Sequence, residues 1–238
     1  MTLPARFVFA LVMLAVPAWT GCQSVTHQVE GAIERELPRV IGPADSYDVR
    51  IDGLRATSGQ AERVTITGIR VQPEGAPLLE RLDAELTGIR FSPRTQTIER
   101  ADSATATARI SASEVALFLE QDERMSDVQV VLAGTDRATI RLRPVFGGMS
   151  LPFNASVEVN GRLVVREHNV TFVVGEVRAA GLDVGAAMAQ RLSDVINPLV
   201  DFGENRANVQ VTAVHVDGSH LVVSATGDPT GVRIGAAR

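Results

Sequence analysis

The sequence contains no lysine, because all 23 of its basic residues are arginine. This absence excludes sites that need a primary amine, including Walker-type phosphate loops, Schiff-base enzymes and Ser-Lys catalytic pairs. Cysteine occurs once, at Cys22, so no disulfide within the chain can stabilise the fold. Aromatic residues make up 4% of the chain and its one tryptophan is Trp19, so stacking sites for bases or sugars are not expected.

The charge and hydropathy of the chain narrow the class further. Hydrophobic residues make up 45% and charged residues 21%, which is a globular composition. The net charge is -5 and no basic block is present, as is typical of a poor nucleic-acid binder, so we predict no nucleic-acid partner. The same balance gives little general attraction to anionic lipid.

The amino terminus has the pattern of an export signal. Arg6 precedes an uncharged apolar run over residues 7–18, which is shorter than the roughly 20 residues of a spanning helix. The following residues 19–22, Trp-Thr-Gly-Cys, resemble the lipobox of a bacterial lipoprotein, with Trp19 where leucine is usual. Cleavage after Ala18 is the alternative. We therefore predict a signal peptide over residues 1–21, lipidation of Cys22, and export to the cell envelope.

Three segments have helical patterns. Residues 24–41 place apolar side chains at helical spacing before a Gly-Pro stop. Residues 114–121 follow Ser111, which forms a capping box with Glu114. Residues 179–200 predict a third amphipathic helix that Pro198 must bend or end.

A repeated strand pattern with a central glycine follows the first helix. Residues 50–55, 65–70 and 85–90 each contain an apolar residue, a polar one, a glycine, an apolar residue and an arginine. A glycine inside a strand often marks a bend. We predict bends at Gly68 and Gly88, while the Asp-Gly pair that includes Gly53 also fits a turn.

The remaining strands predict an antiparallel sheet. They cover residues 104–110, 128–132 and 138–142, a hairpin over 157–165 with an Asn-Gly turn and an extension over 170–174, and a last hairpin over 209–225 with an Asp-Gly turn. Because no linker divides the chain, residues 22–238 are expected to form one domain. The fold class is α+β, with a strongly coiled antiparallel sheet packed against about three amphipathic helices.

Few residues have a pattern that suggests catalysis or metal binding. Residues 148–152 begin like a nucleophile elbow, but Pro152 takes the place of the closing glycine, so Ser150 is read as a loop residue. His215 and His220 flank the last turn and could face each other, yet no third ligand is nearby, so an ordinary strand pair is favoured. We predict no enzyme activity, no metal and no cofactor.

The apolar helix faces are the strongest candidate site. They fit either a closed core or an open groove for acyl chains, since both use the same residue types. The candidate groove-lining residues are Leu182, Met188, Leu192, Val195, Ile196, Leu199, Leu117 and Phe118.

Two stretches resemble a known family. Residues 63–71 with 79–91, and residues 192–202 followed by 209–227, are similar to the LmeA-like family of bacterial envelope proteins. This resemblance implies phospholipid binding and a fold similar to tubular lipid-binding proteins, in which a coiled sheet wraps a long helix around an acyl tunnel. It implies no catalytic residues.

Together, these observations favour an exported, lipid-anchored, non-enzymatic protein of the bacterial cell envelope that binds phospholipid or another acyl lipid. The lipidated amino terminus would also attach it to a membrane. One alternative is a structural or adaptor lipoprotein with a closed core and a protein partner. The other is a hydrolase, for which the sequence offers no activated nucleophile.

We expect Cys22→Ser to abolish labelling of the protein with a fatty-acid analogue and to lower its share in the membrane fraction. Stable anchoring takes more than one acyl chain, and a lipidated cysteine supplies them. Labelling and fractionation of cells that produce wild type or variant measure both effects. Identical labelling of the two proteins would contradict the lipobox interpretation.

Overall fold

The computed structural model describes residues 21–92, 97–146, 149–150, 156–166, 168–201, 209–228 and 230. Within them the chain forms three α-helices and fourteen strands in two mostly antiparallel sheets, which confirms the α+β class. The helices are α1 (Gly21–Val40), α2 (Ala112–Leu119) and α3 (Ala186–Ile196). The strands are β1 (Ser46–Asp52), β2 (Gln60–Val71), β3 (Leu79–Ser92), β4 (Thr97–Arg100), β5 (Ser103–Ser111), β6 (Met125–Ala133), β7 (Arg137–Phe146), β8 (Met149–Ser150), β9 (Val157–Arg166), β10 (Asn169–Ala179), β11 (Leu182–Asp183), β12 (Val200–Asp201), β13 (Gln210–Asp217) and β14 (His220–Thr226).

The first two helices agree with the sequence pattern. Helix α1 covers nearly the whole predicted range, and the chain leaves it at Gly42, whose φ of 143° suits glycine. Helix α2 begins after Ser111, whose hydroxyl accepts a hydrogen bond from the Glu114 amide at 3.3 Å. This bond is the predicted cap.

Helix α3 is shorter than predicted. Residues 179–183 belong to the end of β10, to β11 and to the turn between them, in which Ala180 and Gly181 have positive φ, and Gly185 is the N-cap of the helix. Left-handed backbone cannot continue a right-handed helix, so the helix begins only at Ala186. It ends at Ile196, before Pro198, as predicted.

Sheet 1 has the strand order β1-β2-β3-β5-β14-β13, with β4 beside β3. Its register is continuous from β2 to β3. The last two strands form the predicted hairpin, in which Gly218 has a φ of 61° at the turn. Strand β14 returns to pair with β5, so the hairpin completes this sheet.

Sheet 2 has the order β11-β10-β9-β7-β6, with β12 beside β10 and β8 beside β7. The predicted turn at Asn160-Gly161 is wrong, because both residues lie inside the continuous strand β9. The glycine is needed for a different reason: a Cβ atom at Gly161 would overlap the ring of Phe172, which is fully buried. The actual turn to β10 follows Arg166.

The predicted strong coiling of one sheet is wrong. The strands divide between two sheets, and the strand order of neither one closes into a ring among the described residues. Of the two predicted bends, only Gly88 has a positive φ, of 58°. Gly68 has no positive φ, and a Cβ atom there would overlap the Val71 side chain and the Tyr47 ring of the neighbouring strand. The tubular arrangement stays a prediction.

Two hydrophobic cores share one face of sheet 1. The larger core joins this face to sheet 2, α2 and α3, and it includes Ile110, Ile140 and Phe172. The smaller core lies between α1 and strands β1 to β4 and includes Leu37 and Ile66. Sheet 1 therefore supports a different layer at each end of the same apolar face.

We expect Gly88→Ala to lower the free energy of unfolding by about 1–3 kcal/mol, because a side chain at positive φ strains the backbone. The added Cβ atom would also overlap the Asp102 carboxylate. Urea unfolding measures the effect. The control is Gly185→Ala, since Gly185 has a φ of -66° and open space around it. An equal effect of the two changes would contradict the strain at Gly88.

Candidate functional site

An apolar cavity, here called the α1 cavity, lies between helix α1 and sheet 1. Both hydrophobic cores contribute to its wall, for example through Leu82 of the larger core and Ile66 of the smaller one. The cavity is therefore the seam at which the two cores meet. Its lining residues are Ile33, Glu36, Leu37, Val40, Ile41, Val64, Ile66, Pro73, Leu79, Leu82, Ala84, Leu86, Ile89, Ile98, Ala104, Thr105, Ala106, Ala108, Val209, Val223, Ala225, Thr226 and Gly227.

A row of alanines forms the floor of the α1 cavity. Ala84 of β3 lies opposite Ala106 of β5, and Ala106 lies opposite Ala225 of β14. Side chains in register on one face of a sheet are close neighbours, so three methyl groups stand where larger side chains would fill the space. The small size of these three side chains leaves the space beneath α1 unfilled.

Helix α1 forms the roof and is bound to the outermost strand of sheet 1. The Val49 amide donates to the Glu34 carboxylate at 3.1 Å, and the Ile51 amide donates to Glu30 at 2.9 Å. The two glutamates are one helical turn apart, and the two amides belong to alternate residues of β1, so the spacings match. These charge-assisted bonds replace a neighbouring strand.

The size and polarity of the α1 cavity suit a hydrocarbon. Its volume is about 230 Å³, it is partly open to solvent, and its wall is almost entirely apolar. An apolar cavity of about 150 Å³ holds benzene, whereas pockets for drug-sized ligands span roughly 300–1,000 Å³. The α1 cavity therefore has room for a section of one acyl chain and not for a whole phospholipid.

None of the eight groove-lining candidates from the sequence lies on the α1 cavity. On α3 and just beyond it, Leu192, Ile196 and Leu199 are buried in the larger core, and Met188 and Val195 are half-buried against it. Leu182 in β11 and Leu117 on α2 are exposed, at 74% and 56%, and Phe118 is half-buried. Contact of these residues with lipid stays a prediction.

The lipidation candidate Cys22 lies in the first turn of α1, eleven residues before the first cavity-lining residue, Ile33. The leader before Gly21 is outside the described residues.

The sequence contained a signal for the cavity floor that apolar periodicity does not measure. Strand β5 reads Ser-Ala-Thr-Ala-Thr-Ala, with small apolar residues on one face and polar residues on the other. Ala106 is only half-buried, although its neighbours across both strand pairs are also apolar. Small apolar side chains that face a helix without filling the gap indicate a cavity.

The described histidines do not form a metal site. His220 is the register partner of Asp217, and His215 is the partner of Val222, so the two histidines do not face each other. The His220 ring lies 3.0 Å from Glu80 and 3.2 Å from the Arg109 guanidinium. Across the described parts of the chain, no group of three metal-ligating side chains is present. Most of the elbow-like segment around Ser150 lies outside the described residues.

One comparison with known proteins identifies a family. The model of a family described as LmeA-like phospholipid-binding matches residues 20–226, which confirms the resemblance found in the sequence. No curated protein and no solved structure matches the chain significantly. Among the helices in the described ranges, none combines the length and the hydropathy needed to cross a membrane.

We expect the double change Glu30→Ala and Glu34→Ala to release α1 from β1. A hydrogen bond to a charged group contributes about 1.5–3 kcal/mol, and partial exposure favours the lower value, so the loss is about 3 kcal/mol for both bonds. Hydrogen exchange at the Val49 and Ile51 amides should accelerate. The control changes both glutamates to glutamine, which keeps one acceptor oxygen on each side chain. Unchanged exchange in the alanine variant would contradict this docking.

Proposed function

Since the chain belongs to the LmeA-like phospholipid-binding family, we propose that it is a non-enzymatic protein that holds a phospholipid by one acyl chain in the α1 cavity. The observation that carries this proposal is the row Ala84, Ala106 and Ala225, which keeps an apolar space open beneath α1. A closed core, as the adaptor alternative requires, would place larger side chains in this row.

The energetics of the α1 cavity favour reversible binding. Each methylene group that leaves water contributes about 0.8 kcal/mol, so an acyl chain in the cavity is well held against release into solvent. In a bilayer the same chain is already in hydrocarbon, and lipid tails are as apolar as leucine. Exchange between membrane and cavity is therefore close to balanced, which suits a protein that takes up and returns lipid.

The proposal includes export and anchoring through Cys22. With a rise of about 1.5 Å per residue, the eleven residues from Cys22 to Ile33 span about 16 Å of helix. An acyl anchor on Cys22 would therefore hold the cavity roof close to the membrane surface. This arrangement supports a place in the cell envelope, where the protein would exchange lipid with the membrane that anchors it.

We expect Ala106→Leu to reduce phospholipid binding by about 50-fold without loss of stability. Leucine adds three carbon atoms to the cavity floor, and each would displace about one methylene group at about 0.8 kcal/mol. Because the side chain fills empty apolar space, unfolding should be unchanged or slightly harder. Titration with a fluorescent phospholipid, beside thermal unfolding, measures both quantities.

The matched control is Thr107→Leu, one residue further along β5. Thr107 is exposed on the opposite face of sheet 1, so the same side chain there leaves the cavity open. The proposal is overturned if wild type binds no phospholipid, or if both leucine variants bind it equally. The first result, with a less stable Ala106→Leu variant, would favour the adaptor alternative.

A further inference from the structure

A polar recess of about 390 Å³, here called the arginine recess, lies at one end of sheet 1. Three of its lining residues are Arg55, Arg90 and Arg100. Arg90 directly follows the buried Ile89 in β3, and neighbouring side chains of a strand point to opposite faces, so the Arg90 side chain points away from the smaller core. Ile89 is the one lining residue that the arginine recess shares with the α1 cavity.

Two copies of the glycine-arginine repeat meet in the arginine recess. Gly53 and Arg55 come from the first copy, and Gly88 and Arg90 come from the third. Both glycines have left-handed backbone, with φ of 63° and 58°. The middle copy lies elsewhere, and its Arg70 is paired with Asp45 at 3.3 Å. The first and third copies of the repeat therefore share one location, the arginine recess.

Two arginines of the recess are register partners across neighbouring strands. Arg90 of β3 lies directly opposite Arg100 of β4. Like charges in such positions destabilise a sheet. Arg100 is compensated by Asp102 at 3.0 Å, whereas the Arg90 side chain makes no ion pair or hydrogen bond with any described residue. A bound anion between the two strands would remove this repulsion.

The carboxylates near the recess leave an excess of positive charge. Glu62 lies 3.8 Å from Arg55, and Asp102 is paired with Arg100, so two acids face three arginines. Both acids lie against glycines, Glu62 against Gly53 and Asp102 against Gly88, where an added Cβ atom would overlap the acid's side chain. Glu99, the extra residue of the bulge between β3 and β4, does not line the recess.

We propose that the arginine recess binds a phosphate oxyanion, with Arg90 and Arg100 as its main contacts and Arg55 at the rim. The planar guanidinium donates two parallel hydrogen bonds to phosphate oxygens, and two such groups on one strand pair can converge on one anion. A phospholipid headgroup and free phosphate share this chemistry. The site does not depend on the alanine floor of the α1 cavity, because none of its three arginines lines that cavity.

Thermal unfolding of the purified protein in sodium phosphate tests the site, with sodium chloride at equal ionic strength as the reference for screening. A ligand that binds only the folded state raises its stability. We expect phosphate to stabilise wild type, and Arg90→Gln and Arg100→Gln each to weaken phosphate binding by about tenfold. The matched control is Arg70→Gln, which removes the arginine of the middle repeat and should bind phosphate like wild type.

Flotation with vesicles identifies the source of the phosphate. If the site takes a headgroup, wild type should bind phosphatidylglycerol vesicles better than phosphatidylcholine vesicles, and Arg90→Gln should lose that preference. If the site takes free phosphate, Arg90→Gln should differ from wild type in its stabilisation by phosphate, and the two proteins should bind both kinds of vesicle equally. The site is overturned if wild type shows neither response, or if Arg70→Gln has the effect of Arg90→Gln. Ala106→Leu should keep the phosphate response, which separates a failure of the recess from a failure of the acyl cavity.

Discussion

Unpaired amide groups at strand edges are the constraint on which this architecture depends. A buried N–H group without a partner is costly, and an open edge invites further strands. Side chains from the helices, or from the residues that end them, resolve this at three places. Glu30 and Glu34 bind β1, Glu120 accepts from the Val128 amide at 2.7 Å, and the Asn197 side chain pairs with both backbone groups of Phe172.

The position of each helix follows from these contacts. Asn197 ends α3 against β10, which places Leu192 and Ile196 in the larger core. Helix α1 is instead bound along β1, at the far edge of sheet 1, and it reaches only the smaller core. On sheet 1, the stretch between the larger core and the part covered by α1 is not completely covered by either. The alanine row lies in this stretch, and the α1 cavity results from both facts.

The sequence predicts those elements whose signals are local. Helical spacing, the Ser111 cap and the Asp-Gly turn before β14 are each contained in a few residues, and the structure has them in place. The Asn160-Gly161 pair shows the limit of local signals, because the overlying Phe172 ring explains that glycine better than a turn does. The ring comes from another strand, which sequence spacing alone does not bring near.

The alternating alanines of β5 mark a face of small apolar residues, but the sequence alone does not show which strands complete the cavity floor. Ala84, Ala106 and Ala225 are far apart in sequence and become neighbours only through the pairing of β3, β5 and β14. The apolar face of α3 gave a stronger periodic signal, yet a closed core and a groove use the same residues, and the structure buries Leu192 and Ile196 in core. Missing volume is a property of the paired strands, which periodicity does not measure.

The attachment of α1 to β1 links access to the cavity with self-association. If the helix left its place, the cavity would gain a wide entrance, and in the same movement β1 would present free Val49 and Ile51 amides to any extended chain, including β1 of a second molecule. Opening in free solution would therefore favour self-association of the protein through β1. A membrane surface can cover the exposed edge, so the exchange of lipid proposed above would meet less self-association at the bilayer than in solution.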